Sequence, residues 1–522
     1  MANSAVFALC VRSTGRYLAR VLANLEALAG LYERSAFVFV ENDSVDDSRE
    51  RLRAWAAAHA DTTVIEMDGV DKQRHKRTDR LAFCRNAYVD FIKASPYAAY
   101  DQLVMLDADE VNSPPIDLAG FARGRDWLAE NEAAAVFANS LPFYYDVYAL
   151  RHPHWCPTNY STEVRQHSEE LGAIEARQRF CFDRQIPIPV TAEPIPVVSA
   201  FGGLAIYRMA DALGASYVGL TEKGLQVCEH VAFNRDVSRG GRGLYILPWM
   251  TAGIRRAGIY SDDMQSFSLP GVDDGSEWLA PAGYDITSGH RPAAGTLPLL
   301  ARRLGEAAPK SWALDAGAGV GEAVILCRRA GANLHFAAIE PSLRNLKCLM
   351  LNRAKSPERL AGLRTHWGAL DGGPPPDPAT PAYALPPRTS LQALAAENAI
   401  APDALSLVRF DCIRLGLGVL APEREFLKAR APVVWIRAHI RSSEDAARLE
   451  ASCLDLAADW PHALVFGPDG ATLAEGETAR QALGVVGRLA ASASHLDLAF
   501  FPSRLAGLFR NFLAERSALI ES

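Results

Sequence analysis

Unbroken apolar stretches alternate with segments of helical periodicity from the start of the chain. Residues 5–11 (AVFALCV), 35–40 (SAFVFV) and 102–106 (QLVML) have the pattern of strands buried on both faces, and 62–67 is a further short strand. Between them, 17–31, 44–60 and 80–95 carry apolar residues at helical spacing. Apolar strands separated by helices predict a parallel sheet covered on both faces. From about residue 140 to 250 the periodicity gives way to an irregular region rich in Pro, His and aromatic residues.

A second alternating pattern begins at Ser311. It predicts strands at 312–315, 334–339, 405–410, 433–436, 462–466 and 496–501, with helices at 321–330, 342–354 and 444–459. The turn-rich stretch 258–297 reads as a linker, and PPPDPATPAYALPP (374–387) as a surface loop. The expected organisation is α/β throughout, with one Rossmann-like domain over 1–257 and another over 298–522.

Composition narrows this picture. At 522 residues, 49% hydrophobic and 22% charged, the chain suits two or three globular domains. A net charge of -7 and a pI near 6.0 argue against nucleic acid as a partner. One basic run stands out, KQRHKRTDR (72–80), either a solvated loop or a rim that attracts a diphosphate or a lipid phosphate. The nine cysteines form no CxxC pair and no regular spacing, which indicates neither a zinc ribbon nor a disulfide framework and fits a reducing cytosol. The N-terminus has no signal-peptide pattern, and no stretch reaches the roughly 18 apolar residues of a membrane helix. The expectation is a cytoplasmic protein, with room for peripheral association at the inner face of the membrane.

The candidate chemistry starts at YDQLVMLDADEV. An apolar strand delivers Asp107 and Asp109 to the C-terminal edge of the sheet, where open α/β sheets bind ligands. Two carboxylates one residue apart suit a divalent cation, Mn²⁺ or Mg²⁺, that also takes phosphate oxygens. A second strand brings Glu41 and Asp43 to the same edge, and the helix RLAFCRNAYVDF adds Arg80, Arg85 and Asn86 for phosphate or sugar hydroxyls. Downstream, LPFYYDVYALR offers Asp146, Tyr148 and Arg151 to an acceptor sugar, with rings for its apolar face and charged groups for its hydroxyls. Gly202 and Gly203 permit close backbone approach to a ligand. Glu229 is a candidate general base and His230 a candidate metal ligand.

The ordered run ENDSVDD, RLAFCRN, LDADEV, FYYDVYALR, FGGLAIYR and CEHVAFN resembles the glycosyltransferases related to fungal capsule-associated α-1,3-mannosyltransferases, over about residues 5 to 250. The resemblance implies a GT-A fold, a nucleotide-sugar donor (GDP- or UDP-linked) and a divalent metal. It differs at the acidic strand end, where this chain has Asp-Ala-Asp.

In the second half, SWALDAGAGVGEAVILCRRAG is a strand, a glycine-rich turn and a helix, placing Asp315, Gly317, Gly319 and Gly321 at a helix N-terminus. The next strand ends in Glu340-Pro341, with Asn345 a turn later, and a further strand ends in Asp411. An acidic residue after the second strand reaches cofactor ribose hydroxyls. This set resembles the FkbM-type S-adenosylmethionine-dependent methyltransferases over about residues 295 to 440, and implies S-adenosylmethionine as a cofactor. Where that family has D-(V/I)-E-G-x-E, this chain has Ile413 and Gly416 at the two glutamate positions, and Arg437 at a downstream one.

The expectation is a glycosyltransferase that extends a surface polysaccharide or a lipid-linked glycan, fused to a sugar O-methyltransferase domain that has lost part of its site. Two alternatives stay open: a glycan methyltransferase whose first half only binds glycan, and a non-catalytic carbohydrate-binding assembly protein.

Overall fold

The structure, a computed structural model, describes residues 3–253, 264–267, 278–281, 296–375, 385–439, 442–467, 472–476, 479–483, 486 and 495–512. The chain divides into two compact units, Met1–Asp262 and Asp263–Ser522.

The first unit is built on an eight-stranded sheet. Its strands are β1 (Ser4–Val11), β2 (Arg34–Asn42), β3 (Thr62–Met67), β4 (Gln102–Asp107), β5 (Ala133–Ser140), β6 (Ile195–Val197), β7 (Leu204–Arg208) and β8 (Gly243–Ala252), in the order β3-β2-β1-β4-β7-β5-β8-β6. β1 to β4 run parallel, as unbroken apolar strands demand, and Phe7, Leu9, Phe39, Val104 and Leu106 are fully buried. Burying side chains of this size stabilises by about 1.5–3 kcal/mol each. β7 is inserted antiparallel to both β4 and β5, and β6 lies antiparallel to β8. This parallel half with an inverted strand beside the acidic strand is a Rossmann-like GT-A arrangement.

Two helix boundaries differ from expectation for local reasons. The second helix starts at Ser48, not 44, because the Asp46 carboxylate turns back to accept from Ser48 N at 3.1 Å and Gly15 N at 3.0 Å. The helix expected from residue 80 begins at Arg77, where Thr78 Oγ1 anchors it by donating to Gly219 O at 2.6 Å.

The second unit opens with a two-stranded antiparallel ladder, β9 (Met264–Phe267) with β10 (Trp278–Pro281), inside the stretch expected as a linker. The rest of 258–295 lies outside the described residues, as do 376–384 of the expected 374–387 loop. Then come β11 (Trp312–Ala316), β12 (His335–Glu340), β13 (Leu363–Trp367), the short pair β14 (Ala369–Leu370) and β15 (Arg388–Thr389), and β16 (Leu405–Asp411). The unit closes with β17 (Val433–His439), β18 (His462–Phe466), β19 (Thr472–Gly476) and β20 (His495–Phe501). The main sheet has the order β13-β12-β11-β16-β17-β20-β18-β19, with β20 antiparallel between β17 and β18. A mainly parallel sheet whose strand order reverses at β11, with the antiparallel β20 inserted between β17 and β18, is the class I methyltransferase fold.

Candidate active site

In the first unit the C-terminal ends of β1, β2 and β4 open on a cleft of ≈ 650 Å³. Its walls include Arg12, Asn42, Arg80, Asp107, Asp109, Asp146, Tyr148, Glu229 and His230.

Asp107 ends β4 and Asp109 caps the short turn Glu110–Asn112, its Oδ1 accepting from Val111 N at 3.0 Å. The floor beneath them is main chain. Asp107 N donates to Gly203 O at 3.0 Å, and Asn112 Nδ2 bridges Asp107 O at 2.9 Å and Gly203 O at 2.7 Å. A Cβ on Gly203 would meet Val111 Cγ1 at 2.5 Å, and one on Gly202 would meet Ala138 O at 2.2 Å. The close approach that this glycine pair permits is therefore to β5 and to the turn after β4, and neither glycine lines the cleft.

Arg85 is buried behind the carboxylates. Its Nη2 donates to Asp107 Oδ1 at 3.0 Å, its Nε to Glu229 Oε1 at 3.2 Å and its Nη1 to the Tyr88 hydroxyl at 3.2 Å. It binds protein carboxylates and orients them, whereas the sequence suggested a phosphate or sugar hydroxyls as its partner. Asn86 turns away from the cleft and clasps Tyr217, accepting from its N–H at 2.8 Å and donating to its carbonyl at 3.0 Å.

Strand alternation decides the fate of the acidic residues after β2, because side chains one residue apart point to opposite faces. Asn42 lines the cleft; Glu41, of the opposite parity, does not, and neither does Asp43, which lies past the strand with a φ of 49°. Glu41 is fully buried and bonds Arg49 and Ser44 N. Asp43 accepts from Gly69 N at 2.6 Å and Asp71 N at 3.0 Å, so it shapes the neighbouring loop rather than capping the helix that follows it. Of the expected donor-side residues outside the acidic motif, Arg80 and Arg85 are in the wall, and burial and the adjacent Arg12 guanidinium lower the pKa of Arg80.

Asp146 sits in the opposite wall and accepts from Gly202 N at 3.1 Å and Ala149 N at 3.2 Å. Burial outweighs these two bonds and pushes its carboxyl up to about 6. Tyr148 packs edge-on against Tyr160, with ring centroids 5.7 Å apart, and both line the cleft. Arg151 does not: its Nη1 donates to Tyr148 O at 3.1 Å and its main chain pairs with Ser199.

Glu229 and His230 open the helix Glu229–Val237. His230 stacks on Phe201, centroids 3.9 Å apart, and both of its buried ring nitrogens lack a hydrogen-bond partner. Burial, with the Arg85 charge adding to it, drives its pKa well below the ordinary value, so the imidazole is neutral, the form that ligates metals. Among the described residues no three His, Cys, Asp or Glu groups are already gathered at ligand spacing.

Sequence reasoning missed Arg12, Arg77, Tyr145, Tyr160 and Arg177, all in the wall. Arg12 was accessible to it, because it directly follows the first strand. Arg177 and Tyr160 belong to helices in the irregular region, where no periodic signal places them.

In the second unit the glycine-rich turn carries positive φ at Gly317, Gly319 and Gly321. Glu340 is buried, its Oε2 accepting from Gly319 N at 2.7 Å and its Oε1 from Ser342 N at 2.9 Å and Asn345 Nδ2 at 3.2 Å. Asp315 and Asp411 are bridged by Arg409, at 2.6 Å and 3.0 Å. Gly317 lies under Asp411 and Leu415, and a Cβ on Gly321 would meet Leu349 at 2.6 Å, so both serve packing within the protein. In β17, Arg437 forms a buried ion pair with Asp497 of β20 at 3.1 Å. The cavity beside it, lined also by Asp411, measures ≈ 20 Å³, about the room of one water.

The fold and cleft define an α/β protein with a GT-A glycosyltransferase-like unit followed by a methyltransferase-like Rossmann unit. No family model matches the chain, and no curated protein matches it. Among solved structures, it is similar to a mannosyltransferase from Pyrobaculum calidifontis in complex with GDP-Man and Mn²⁺, at 18% identity and TM-score 0.29, covering 49% of this chain and 58% of that one. A glucosyl-3-phosphoglycerate synthase from Mycobacterium tuberculosis in complex with Mn²⁺, UDP and phosphoglyceric acid matches at 12% identity and TM-score 0.27, covering 54% of this chain and 88% of that one. A SAM-dependent methyltransferase from Agrobacterium tumefaciens matches at 13% identity and TM-score 0.29, covering 48% and 73%. Sheet order and the cleft define the class.

Proposed function

We propose that the first unit transfers a sugar from a GDP- or UDP-linked donor, with Mn²⁺ or Mg²⁺, to a glycan or lipid-linked glycan. The observation that supports this best is one cleft holding the strand-end carboxylates Asp107 and Asp109, the neutral unbonded imidazole of His230, and the guanidinium groups of Arg12 and Arg80.

The donor set fits a divalent cation in its chemistry: two hard carboxylates and one neutral imidazole. A cation held by Asp107, Asp109 and His230 would offset the charge that develops on a leaving diphosphate. Arg12 and Arg80 attract the phosphate oxygens, and Arg85 holds Asp107 in place. Asp146, with its raised pKa, is better suited than Glu229 to take the acceptor hydroxyl proton, because the Glu229 carboxylate is engaged by Arg85. The acceptor oxygen then bonds the anomeric carbon as the bond to the diphosphate breaks. Tyr148 and Tyr160 suit stacking on acceptor sugar.

For the second unit we infer a methyltransferase fold that keeps the residues of the cofactor side and has exchanged those of the acceptor side. The Glu340-braced turn fits S-adenosylmethionine, while the Arg437–Asp497 pair occupies the acceptor end.

A screen of nucleotide sugars for Mn²⁺-dependent binding and hydrolysis tests the main reading. Asp107→Asn with Asp109→Asn should lower turnover about 100-fold or more. Full turnover in that variant overturns it. Calorimetry with S-adenosylmethionine tests the second unit separately.

A further inference from the structure

The mouth of the N-terminal cleft carries a patch that sugar transfer leaves unused. Lys72, His75, Lys76 and Arg77 are all exposed, and Arg77 also lines the cleft. A finger of chain, residues 217–226, is fastened against them. Thr78 Oγ1 donates to Gly219 O at 2.6 Å, Thr78 N to Gln226 Oε1 at 3.3 Å, and Lys76 Nζ to Gly224 O. The finger is closed on itself by a bridge between Leu220 and Gln226 and by Thr221 N donating to Leu225 O at 2.9 Å. These bonds fix a tip on which Val218 is 47% and Leu225 45% exposed, with Lys223 exposed between them. Of the nearby acids, Asp71 pairs with Arg12 and Asp79 with Arg74, both at 3.2 Å, while Glu222 is exposed beside Lys223; Lys72, Lys76, Arg77 and Lys223 still outnumber it. The same pairing of apolar and basic side chains recurs on the helix Ala173–Phe180, where Ile174 is 58% exposed and Arg177 lines the cleft.

We propose that this patch docks the N-terminal unit on an anionic lipid bilayer, with the mouth of the cleft turned toward the membrane. Separate apolar side chains on a braced tip can enter the boundary between headgroups and acyl chains, while the flanking lysines and arginine meet anionic headgroups. The chain as a whole carries a net charge of -7 and is repelled by such a surface. Attraction is felt only within a Debye length of roughly 8–10 Å, so the basic patch alone can make the contact and it thereby sets the orientation. The inference goes beyond sugar transfer and its test uses no donor, so either reading can fail without the other.

The full chain is sedimented with vesicles of phosphatidylcholine and with vesicles that also contain phosphatidylglycerol. It should sediment with the second and not the first, and raised salt should release it. Lys72→Glu and Leu225→Ser should each weaken the binding, the charge reversal by about tenfold. Lys93→Glu, the same charge change at the far end of the helix Arg77–Ala94, should leave it intact. No sedimentation with either vesicle overturns the proposal, and so do equal sedimentation with both and equal loss in the Lys72 and Lys93 variants. Binding of RNA or an acidic protein that is sensitive to Lys72→Glu, without vesicle binding, assigns the patch to another polyanion and also overturns it. Circular dichroism of each variant separates lost binding from lost fold.

Discussion

Arg85 donates to Asp107 at 3.0 Å across 22 positions of sequence, from a side chain that is itself buried. The same guanidinium reaches Glu229, so one cation neutralises a carboxylate from β4 and another from the helix Glu229–Val237. Removing it strands both. Arg85→Ala should cost about 3–5 kcal/mol of stability, the range for breaking a buried pair. Arg85→Lys keeps the charge but loses the fork that serves two partners, and should fall between the two. Denaturant unfolding of the three proteins measures this order, and an unchanged midpoint in Arg85→Ala would contradict the role.

Burial holds Asp146 at about 6, against an ordinary 3.8. A base with that pKa is protonated and idle in more acidic solution, so turnover should climb as pH rises through about 6 and then level off. Asp146→Asn should remove this limb and lower the plateau by roughly 10²–10⁴-fold. A pH profile with the same acid limb in wild type and variant would place the proton elsewhere.

In the second unit Glu423 is buried under Leu391 N, which donates to both of its carboxylate oxygens at 3.1 Å. Burial raises its carboxyl from 4.5 to about 7, more than this bond can offset. The folded state therefore favours the protonated form. That contribution to stability is complete below the unfolded value of 4.5 and is lost as pH rises through about 7. Glu423→Gln keeps an acceptor for Leu391 N and cannot ionise, so its melting temperature should fall less over that interval than that of wild type. Parallel melting curves would show that the carboxyl ionises without penalty.

The parallel strands, their order of appearance and the acidic motif at the end of β4 were legible because each is local: an apolar run, a period, a pair of carboxylates. The glycine-rich turn after β11 and Glu340 at the end of β12 were legible for the same reason. What a lone chain could not disclose was direction. Glu41, Asp43, Asn86 and Arg151 are close to the cleft in sequence terms, yet strand parity and main-chain partners turn them away from it. Arg85 was expected at a phosphate or sugar hydroxyls; it lines the cleft, and its hydrogen bonds go to protein groups, among them Glu229, 144 positions away. The irregular region withheld Tyr160 and Arg177 entirely, since turns and short helices leave no repeating mark.

The strand that bears the acidic motif acquires its second neighbour late. β4 pairs on one side with β1, but its other edge is covered by β7, with Leu106 opposite Leu204. Closing so long a loop is slow compared with joining adjacent elements. A chain interrupted between the two would present β4 with a row of unpaired N–H and C=O groups beside fully buried apolar positions, the template for edge-to-edge aggregation. Asp107 would meanwhile lack the Gly203 carbonyl beneath it. Both the solubility of a growing chain and the floor of its acidic motif thus wait on one strand made about a hundred residues later.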